Sequence, residues 1–283
     1  MKILDLLNDA ARNLSFSDTP QLDAQVLLAH ITGKPRTWVM AHVEYVLTKE
    51  ELERLEMALQ KLGTGEPFPY VLGKWEFFGN EFEVTKDVLI PRPETELLVE
   101  KALAWLQISA AEKTVADIGA GSGAIAISIA LNIPHAKILA TDISPAALEV
   151  AKRNAQKFNV QSQIEFTECD LLPEKSSIVN RQSSIDLICA NLPYIPTATL
   201  RGLPIFRREP TLALDGGSDG LELFRRLFKL IPRWINPRGA LLLEIESTLG
   251  AQTIRLASKS FPDAQINLYQ DPAGKDRLLE IQT

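Results

Sequence analysis

Residues 115–124 of this 283-residue chain read Val115-Ala116-Asp117-Ile118-Gly119-Ala120-Gly121-Ser122-Gly123-Ala124. The run begins with apolar residues typical of a buried strand, continues into a turn with three glycines and enters a helix. Glycine is required where a chain turns tightly and where a ligand lies against bare backbone. The run therefore predicts a strand, a ligand-binding turn and a helix, and the alternative is a tight turn without a ligand.

The sequence from Thr114 onward alternates apolar β-branched runs with helix-forming segments. Strands that alternate with helices of roughly 10 to 15 residues are joined by crossovers and form a mostly parallel, Rossmann-like sheet. Strands are predicted at 114–118, 137–141, 163–167, 184–190, 239–245, 264–269 and 277–282. Helices are predicted at 94–106, 122–132, 145–158, 218–233 and 248–259. Because only the short stretch 271–275 joins the last two strands, the final strand is predicted to be antiparallel.

The chain before this sheet has a different pattern. Residues 1–66 place apolar side chains at helical spacing and include a capping box, Thr48 with Glu51, so they predict a small helical domain. Residues 67–90 are aromatic and β-branched with interspersed glycines, which indicates a β-hairpin linker that includes residues 70–72. The predicted domains are thus a helical part at 1–66, a hairpin at 67–90 and a catalytic domain at 91–283. The helical part is either a bundle without chemistry or a partner-binding domain.

Composition limits the classes of function. Apolar residues make up 46% and charged residues 23%, and the net charge is −6, which argues against broad binding of a phosphate backbone. The two cysteines, Cys169 and Cys189, cannot build a disulfide framework or a zinc site, which favours a reducing compartment. No apolar run approaches the roughly 18 residues that span a bilayer. We therefore expect a cytoplasmic protein without membrane or direct nucleic-acid partners.

Three carboxylates around the glycine turn indicate the kind of ligand. Asp142 closes the second strand, where a carboxylate can accept hydrogen bonds from both ribose hydroxyls of a nucleoside. Gly119-x-Gly121-x-x-Ala124 satisfies the dinucleotide fingerprint, but Asp117 would repel a pyrophosphate and attract the ammonium of a methionine moiety. Asp170, placed at the end of the third strand, can accept from the exocyclic amine of adenine. One charge partner for each end of the ligand favours S-adenosylmethionine over NAD.

A second motif, Asn191-Leu192-Pro193-Tyr194, follows the strand predicted at 184–190. It resembles the signature of methyltransferases that act on planar nitrogens, in which Asn, Asp or Ser precedes Pro-Pro and then Tyr or Phe. The Asn191 side-chain oxygen and the Leu192 carbonyl can each accept one hydrogen of an NH₂ group, and Tyr194 can stack on its plane. Leu192 replaces the first proline, which keeps the carbonyl but loosens φ. The alternative is a proline turn in which Asn191 is a local cap.

Further runs match one family at the family's own spacing, and the resemblance covers nearly the whole chain, with its weakest part in residues 1–60. They are Gly65–Gly73, Phe77–Gly79, Val88–Glu96, Glu209–Pro210, Ala213–Gly220 and Gly274–Arg277. With these runs the chain is similar to the protein-(glutamine-N5) methyltransferases that modify peptide chain release factors. Leu89-Ile90-Pro91-Arg92-Pro93-Glu94-Thr95-Glu96 is far more specific than the tetrapeptide.

The resemblance implies methyl transfer from S-adenosylmethionine to the amide of the glutamine in the Gly-Gly-Gln loop of release factors. The helical domain would hold the release factor. The glutamine pocket is implied at Asn191, Leu192, Pro193 and Tyr194, with Leu89 and Ile90 as further lining. The expected cofactor site comprises Asp117, Gly119, Ala120, Gly121, Ser122, Gly123, Asp142, Asp170, Leu171 and Asn191.

Other charged residues have simpler interpretations. Arg92 either orients a carboxylate or pairs with Glu94 or Glu96, and the pair is favoured. Glu244 and Glu246, where the family often has histidine or glycine, are expected at a solvated strand end without a role.

Three arginines, Arg201, Arg207 and Arg208, follow the tetrapeptide and predict a surface loop, with steering of an acidic or RNA partner as the alternative. Other functions also stay open. One alternative is an adenine-N6 methyltransferase acting on nucleic acid, but this chain lacks the stripe of basic residues that would bind the nucleic acid. A nucleotide-binding protein that has lost catalysis would explain Leu192, and an NAD-linked oxidoreductase would leave Asn191 and Tyr194 unexplained.

Overall fold

A computed structural model of the chain describes residues 1–14, 17–108, 111–173, 176–178 and 185–283. It divides into two compact units, Met1–Gly73 and Lys74–Thr283. The first consists of helices, and the second contains a seven-stranded sheet with helices, so the predicted fold class is confirmed. The three-part division at residues 66 and 90 stays a prediction. Within the described residues, no helix is long and apolar enough to cross a membrane.

The first unit contains five helices among its described residues. They are α1 (Ile3–Asn13), α2 (Pro20–Thr32), α3 (Arg36–Ala41), α4 (Lys49–Gly63) and α5 (Phe68–Leu72). The predicted capping box is present: the Glu51 N–H donates to Thr48 Oγ1 at 3.2 Å, and the Thr48 N–H donates to the Glu51 carboxylate at 2.8 Å. Buried Ile3, Leu27 and Leu55 belong to its own apolar core.

The expected hairpin is shorter than predicted, because residues 70–72 are helical and belong to α5. Pro67 and Pro69 favour the start of a helix, and Gly73, at φ +70°, ends it in the left-handed conformation. The antiparallel hairpin of the second unit is β1 (Lys74–Phe77) and β2 (Asn80–Glu83). The aromatic residues that predicted strand therefore divide between two elements.

The main sheet follows the predicted alternation closely. After α6 (Glu96–Leu106), the elements are β3 (Thr114–Ile118), α7 (Ala124–Asn132), β4 (Lys137–Asp142), α8 (Pro145–Lys157), β5 (Ile164–Glu168), β6 (Ile185–Ala190), α9 (Thr197–Leu200), α10 (Glu222–Leu230), β7 (Ile235–Glu244), α11 (Gly250–Ser260), β8 (Gln265–Gln270) and β9 (Asp276–Gln282). Residue 184, the first of one predicted strand, lies outside the described residues. The last strand is antiparallel to both of its neighbours, as predicted.

The strand order is β5-β4-β3-β6-β7-β9-β8. β3, β4 and β5 follow one another towards one edge of the sheet, whereas β6 and β7 extend from β3 towards the other edge. The strand order therefore reverses between β3 and β6. Ligands of open α/β sheets bind at the carboxyl ends of the strands beside such a switch point. Side chains alternate across β6: Leu187 and Cys189 pack towards α6 and α7, whereas Ile188 and Ala190 pack towards α10. Both faces of the sheet are therefore covered.

One wholly buried amide connects the hairpin to the glycine turn. Asn154 of α8 donates from Nδ2 to the Glu83 carbonyl at 3.0 Å and to the Ser122 carbonyl at 2.9 Å, while its Oδ1 accepts from the Glu83 N–H at 2.8 Å. These bonds satisfy three backbone groups, so Asn154 fixes both the edge of β2 and the start of α7.

Asn154→Ala should lower the free energy of unfolding by about 2–4 kcal/mol, because buried backbone groups lose their partners. The exposed Asn132, whose Nδ2 donates to the Ser128 carbonyl, is the matched control. Asn132→Ala should change stability by less than about 0.5 kcal/mol. Urea unfolding followed by circular dichroism measures both, and equal losses in the two variants would contradict this account.

Candidate active site

A cleft of about 230 Å³ lies at the carboxyl edge of β3, β4 and β6. It brings together eight of the residues predicted from the sequence, namely Gly119, Gly121, Asp142, Asp170, Leu171, Asn191, Leu192 and Pro193. Leu89, expected in the glutamine pocket, also lines it. The other expected residues, Asp117, Ala120, Ser122, Gly123, Tyr194 and Ile90, support the cleft without belonging to its lining. The switch point and the predicted site therefore coincide.

The glycine turn is held in one conformation by backbone hydrogen bonds. Gly119, Gly121 and Gly123 have φ values of +76°, +54° and +80°, which non-glycine residues rarely adopt. The N–H groups of Gly119 and Ala120 both donate to the Thr141 carbonyl at 2.8 Å. A Cβ on Gly123 would lie 2.9 Å from Ile127 Cδ1, so glycine is needed there for space as well as for φ.

Asp142 ends β4 and accepts one backbone hydrogen bond on each oxygen. The Gly121 N–H donates to Oδ2 at 2.9 Å, and the Ser144 N–H donates to Oδ1 at 2.8 Å. Burial raises the pKa of Asp142, and these N–H donors oppose the shift. A carboxylate oxygen can accept more than one hydrogen bond, so Asp142 retains acceptor capacity for vicinal hydroxyls in the cleft.

Asp117 is fully buried in β3 and has a free acceptor. Its Oδ2 accepts from the Ala126 N–H at 3.0 Å, whereas Oδ1 has no hydrogen-bond partner among the described residues. Burial raises the pKa of Asp117 to about 7, and the Ala126 N–H opposes that shift. A buried carboxylate with an unused oxygen gains stability when a cation approaches. The contact with the ammonium of a methionine moiety, expected from the sequence, stays a prediction.

Asp170 does not end the third strand, because β5 stops at Glu168, two residues earlier. The Asp170 carboxylate forms an ion pair with Arg226, and both residues line the cleft. Leu171 follows with φ +70°, and its carbonyl accepts from Thr141 Oγ1 at 2.7 Å. The Asp170-Leu171 turn is therefore tied to the end of β4.

The tetrapeptide is supported by a carboxylate that was expected at a solvated strand end. That expectation is wrong, because Glu244 at the end of β7 is 1% exposed. The Thr95 hydroxyl donates to Glu244 Oε2 at 2.6 Å, and Asn191 Nδ2 donates to Thr95 Oγ1 at 3.0 Å. The Tyr194 hydroxyl donates to Glu244 Oε1 at 3.3 Å. A carboxylate directly after an apolar strand, at the edge where the site was predicted, was the available sequence signal.

Glu244 and Tyr194 both have shifted acidities. Burial raises the pKa of Glu244 to about 7, against the opposing effects of the Thr95 hydroxyl and the Arg277 guanidinium. Burial, together with the Glu244 charge, raises the pKa of Tyr194. Glu246, in contrast, accepts from the Thr248 N–H at 2.8 Å and is a local cap.

Two glycines lie in close contact with the backbone of the Asn191–Tyr194 tetrapeptide. A Cβ on Gly216 would lie 2.6 Å from the Tyr194 Cα, and one on Gly220 would lie 2.3 Å from the Tyr194 carbonyl oxygen. The Gly216 N–H also donates to the Ile195 carbonyl at 2.8 Å. The run Ala213–Gly220 is thus glycine-rich because the chain passes directly over Tyr194.

Arg92 pairs with Glu209 rather than with Glu94 or Glu96. The Arg92 Nη2 lies 2.5 Å from Glu209 Oε1, and the Ile90 N–H donates to Glu209 Oε2 at 3.1 Å. Glu96 instead accepts from the Phe78 N–H at 2.8 Å. The pairing of Arg92 with a carboxylate 117 residues away could not be read from sequence spacing.

The three arginines after the tetrapeptide, Arg201, Arg207 and Arg208, are exposed, as predicted for a surface loop. Among the residues that the structure describes, no group of three or more His, Cys, Asp or Glu side chains could hold a metal ion.

Comparisons with known proteins agree with this geometry. A family model described as the PrmC N-terminal domain matches residues 5–73, and one described as a methyltransferase domain matches residues 109–274. The release factor glutamine methyltransferase of Moorella thermoacetica is 39% identical over 280 residues, covering 98% of this chain and 97% of the relative. The one from Bordetella pertussis is 38% identical over 261 residues, covering 92% and 93%.

The solved METTL16 methyltransferase domain has the same fold. It superposes with a TM-score of 0.52 at 16% identity and covers 90% of this chain and 91% of that chain. At this identity the likeness concerns the fold alone.

Arg92→Ala should lower the free energy of unfolding by about 1–3 kcal/mol, because it leaves the buried Glu209 carboxylate without its ion-pair partner. Arg153, paired with Glu83 where both side chains are well exposed, is the matched control. Arg153→Ala should change stability by less than about 1 kcal/mol. Chemical denaturation measures both, and a smaller loss for Arg92→Ala than for Arg153→Ala would argue against the buried pair.

Proposed function

Because the chain belongs to the family of release factor glutamine methyltransferases, we propose that it methylates the glutamine of the Gly-Gly-Gln motif in peptide chain release factors. The reaction transfers a methyl group from S-adenosylmethionine to the side-chain amide nitrogen, N5. One observation carries the proposal within the site: the Asn191 amide lies in the cleft beside Leu192, its nitrogen donates to Thr95, and its oxygen accepts no hydrogen bond from the described residues.

S-adenosylmethionine supplies an activated methyl group on a sulfonium, so no residue of this chain has to activate the donor. Asp142 would accept from the ribose hydroxyls. Asp170 would accept from the adenine amine through Oδ1, because Arg226 contacts Oδ2 and no described residue donates to Oδ1. The charge of Asp117 would attract the ammonium. The backbone of Gly119–Gly123 allows close approach of the methionine part, since side chains are absent at the glycines.

The glutamine amide is a poor nucleophile, because its nitrogen lone pair is delocalised into the carbonyl. Two acceptors on adjacent residues, Asn191 Oδ1 and the Leu192 carbonyl, would each bind one hydrogen of its NH₂ group. Among the described residues, none donates a hydrogen bond to either oxygen. Fixing the nitrogen in this way lowers the entropic part of the barrier by several kcal/mol. The predicted stacking of Tyr194 on the amide stays a prediction.

The partner assignments follow from the family. The release factor is the protein substrate, and the proposed role of the helical unit is to hold it. The net charge of −6 supports the absence of a direct nucleic-acid partner, and adenine-N6 methylation is not favoured. Since release factors act on translating ribosomes, we place the enzyme in the cytoplasm.

A labelling experiment tests the proposal. The chain and methyl-labelled S-adenosylmethionine are incubated with a release factor, with its Gly-Gly-Gln variant carrying Gln→Ala, and with duplex DNA. Label is expected only in the release factor that retains the Gly-Gly-Gln glutamine. Asn191→Ala should reduce the rate by about 100-fold or more, with cofactor binding retained. Label in DNA, or full activity of Asn191→Ala, would refute the proposal.

Asp117→Asn should weaken S-adenosylmethionine binding by about 10- to 100-fold, because it removes the negative charge proposed to attract the ammonium. Since the pKa of Asp117 is about 7, the carboxyl is mostly protonated at about pH 6 and ionised at about pH 8. Only the ionised form attracts a cation, so affinity in the unsubstituted protein should rise with pH across this range. The variant should show no such rise in isothermal titration calorimetry.

Ser128 provides the control, because its hydroxyl is also fully buried and has no partner among the described residues. Ser128→Ala should retain both the affinity and its pH dependence. If both variants bind equally, the Asp117 charge has no part in holding the cofactor.

A further inference from the structure

We propose, on the basis of the proposed function, that Thr95 and Glu244 are positioning residues. They determine whether the oxygen or the NH₂ group of the Asn191 amide faces the cleft. Their task is to keep the NH₂ group of Asn191 turned away from the substrate and its oxygen turned towards it. Only an amide oxygen can accept a hydrogen from the substrate NH₂ group, so the orientation decides whether the site can bind glutamine productively.

The direction of the hydrogen bonds follows from the number of protons. The Thr95 hydroxyl has one proton and lies 2.6 Å from Glu244 Oε2 and 3.0 Å from Asn191 Nδ2. An ionised carboxylate can only accept, so the hydroxyl proton goes to Glu244. The hydroxyl oxygen can then only accept, and the group it accepts from must be the Asn191 NH₂. The amide oxygen is thereby directed away from Thr95.

The arrangement is built from three separate elements. Thr95 precedes α6, Asn191 follows β6 and Glu244 ends β7. Thr95 is 5% exposed and Glu244 is 1% exposed, so the hydrogen bond between them is shielded from water. An amide has nearly the same shape in its two orientations, and packing alone selects weakly between them. Hydrogen-bond direction is the remaining selector.

The protonation of Glu244 controls this direction. A protonated Glu244 can donate to Thr95, whose own proton then goes to the Asn191 oxygen, which turns the NH₂ group towards the cleft. The groups around Glu244 are the Tyr194 hydroxyl beside β6, the Arg277 guanidinium on β9, and Glu94 before α6. Arg277 is itself held by Asp271 at 3.1 Å and favours the ionised form, which burial opposes.

The sign of the pH effect is therefore fixed. Burial raises the pKa of Glu244 to about 7, so the ionised form, which orients Asn191 for glutamine, gains population as pH rises through 7. At saturating cofactor, which removes the contribution of Asp117, kcat should increase over the same range. Glu244→Gln removes the titrating group and should abolish this step.

The variants Thr95→Val and Thr95→Ser test the hydroxyl directly. Valine has nearly the same shape but cannot accept from Asn191, so Thr95→Val should lower kcat by about tenfold without changing the KM for S-adenosylmethionine. Serine keeps the hydroxyl, and Thr95→Ser should recover most of the lost rate. A wild-type kcat for Thr95→Val would overturn the proposal.

Two buried residues outside the cleft provide matched controls. Thr253 is fully buried and donates to the Leu249 carbonyl, and Glu280 is a buried carboxylate that accepts from Tyr269 and Asn267. Thr253→Val and Glu280→Gln should alter stability but leave kcat and its pH profile unchanged. If Thr253→Val also loses about tenfold in kcat, the effect of Thr95→Val is a general consequence of packing and the proposal fails.

A readout without turnover separates this proposal from the proposed function. In protein labelled with ¹⁵N-asparagine, the Asn191 side-chain resonances, assigned with Asn191→Ala, should shift as pH passes through about 7 and lose that shift in Thr95→Val and Glu244→Gln. Absence of methyl transfer to any release factor would refute the function alone. Asn191 resonances that are identical in Thr95→Val and the unsubstituted protein would refute the orientation mechanism alone.

Discussion

The pairing of β3 with β6 is the interaction on which the cleft depends. These strands are adjacent and parallel, and Ile118 is in register with Ala190. The next residues on each strand, Gly119 and Asn191, therefore leave the sheet side by side. Gly119 begins the turn that we propose admits the cofactor, and Asn191 begins the proposed acceptor pair for a substrate amide. A shift of one residue in this register would turn every β6 side chain to the opposite face and separate the two halves of the site.

Buried carboxylates surround this point, and the structure compensates each one differently. Glu209 has an arginine and a backbone donor, and Asp142 has two backbone donors. Glu244 has two hydroxyl donors, and Asp117 has a single donor with one oxygen unused. Burying a charge is unfavourable unless it is paired. Asp117, with one oxygen unused among the described residues, is the least compensated of the four, which fits the cationic partner proposed for it.

The sequence was sufficient to predict features that arise from local rules. Hydrophobic periodicity located the main strands and helices within a few residues, and the glycines located the turn after β3. The features that were missed depend on contacts between distant residues. Thr95 and Glu244 are 149 positions apart, and Arg92 and Glu209 are 117 apart, so spacing along the chain contains no sign of either pair. The pattern of residues 70–72 was ambiguous, because aromatic and β-branched residues also fill a short helix when prolines and a glycine bound it.

Leu192 shows how packing can replace covalent rigidity. A proline at this position would fix φ, and leucine does not. Leu192 is, however, 3% exposed and belongs to the core that covers one face of the sheet. Its Cδ2 lies 3.5 Å from the position that a Cβ on Gly119 would occupy, so the side chain packs directly on the glycine turn. The backbone of Leu192 is therefore constrained through its side chain, which packs on the same turn that we propose admits the cofactor. The departure from the proline motif is compatible with the proposed chemistry for this reason.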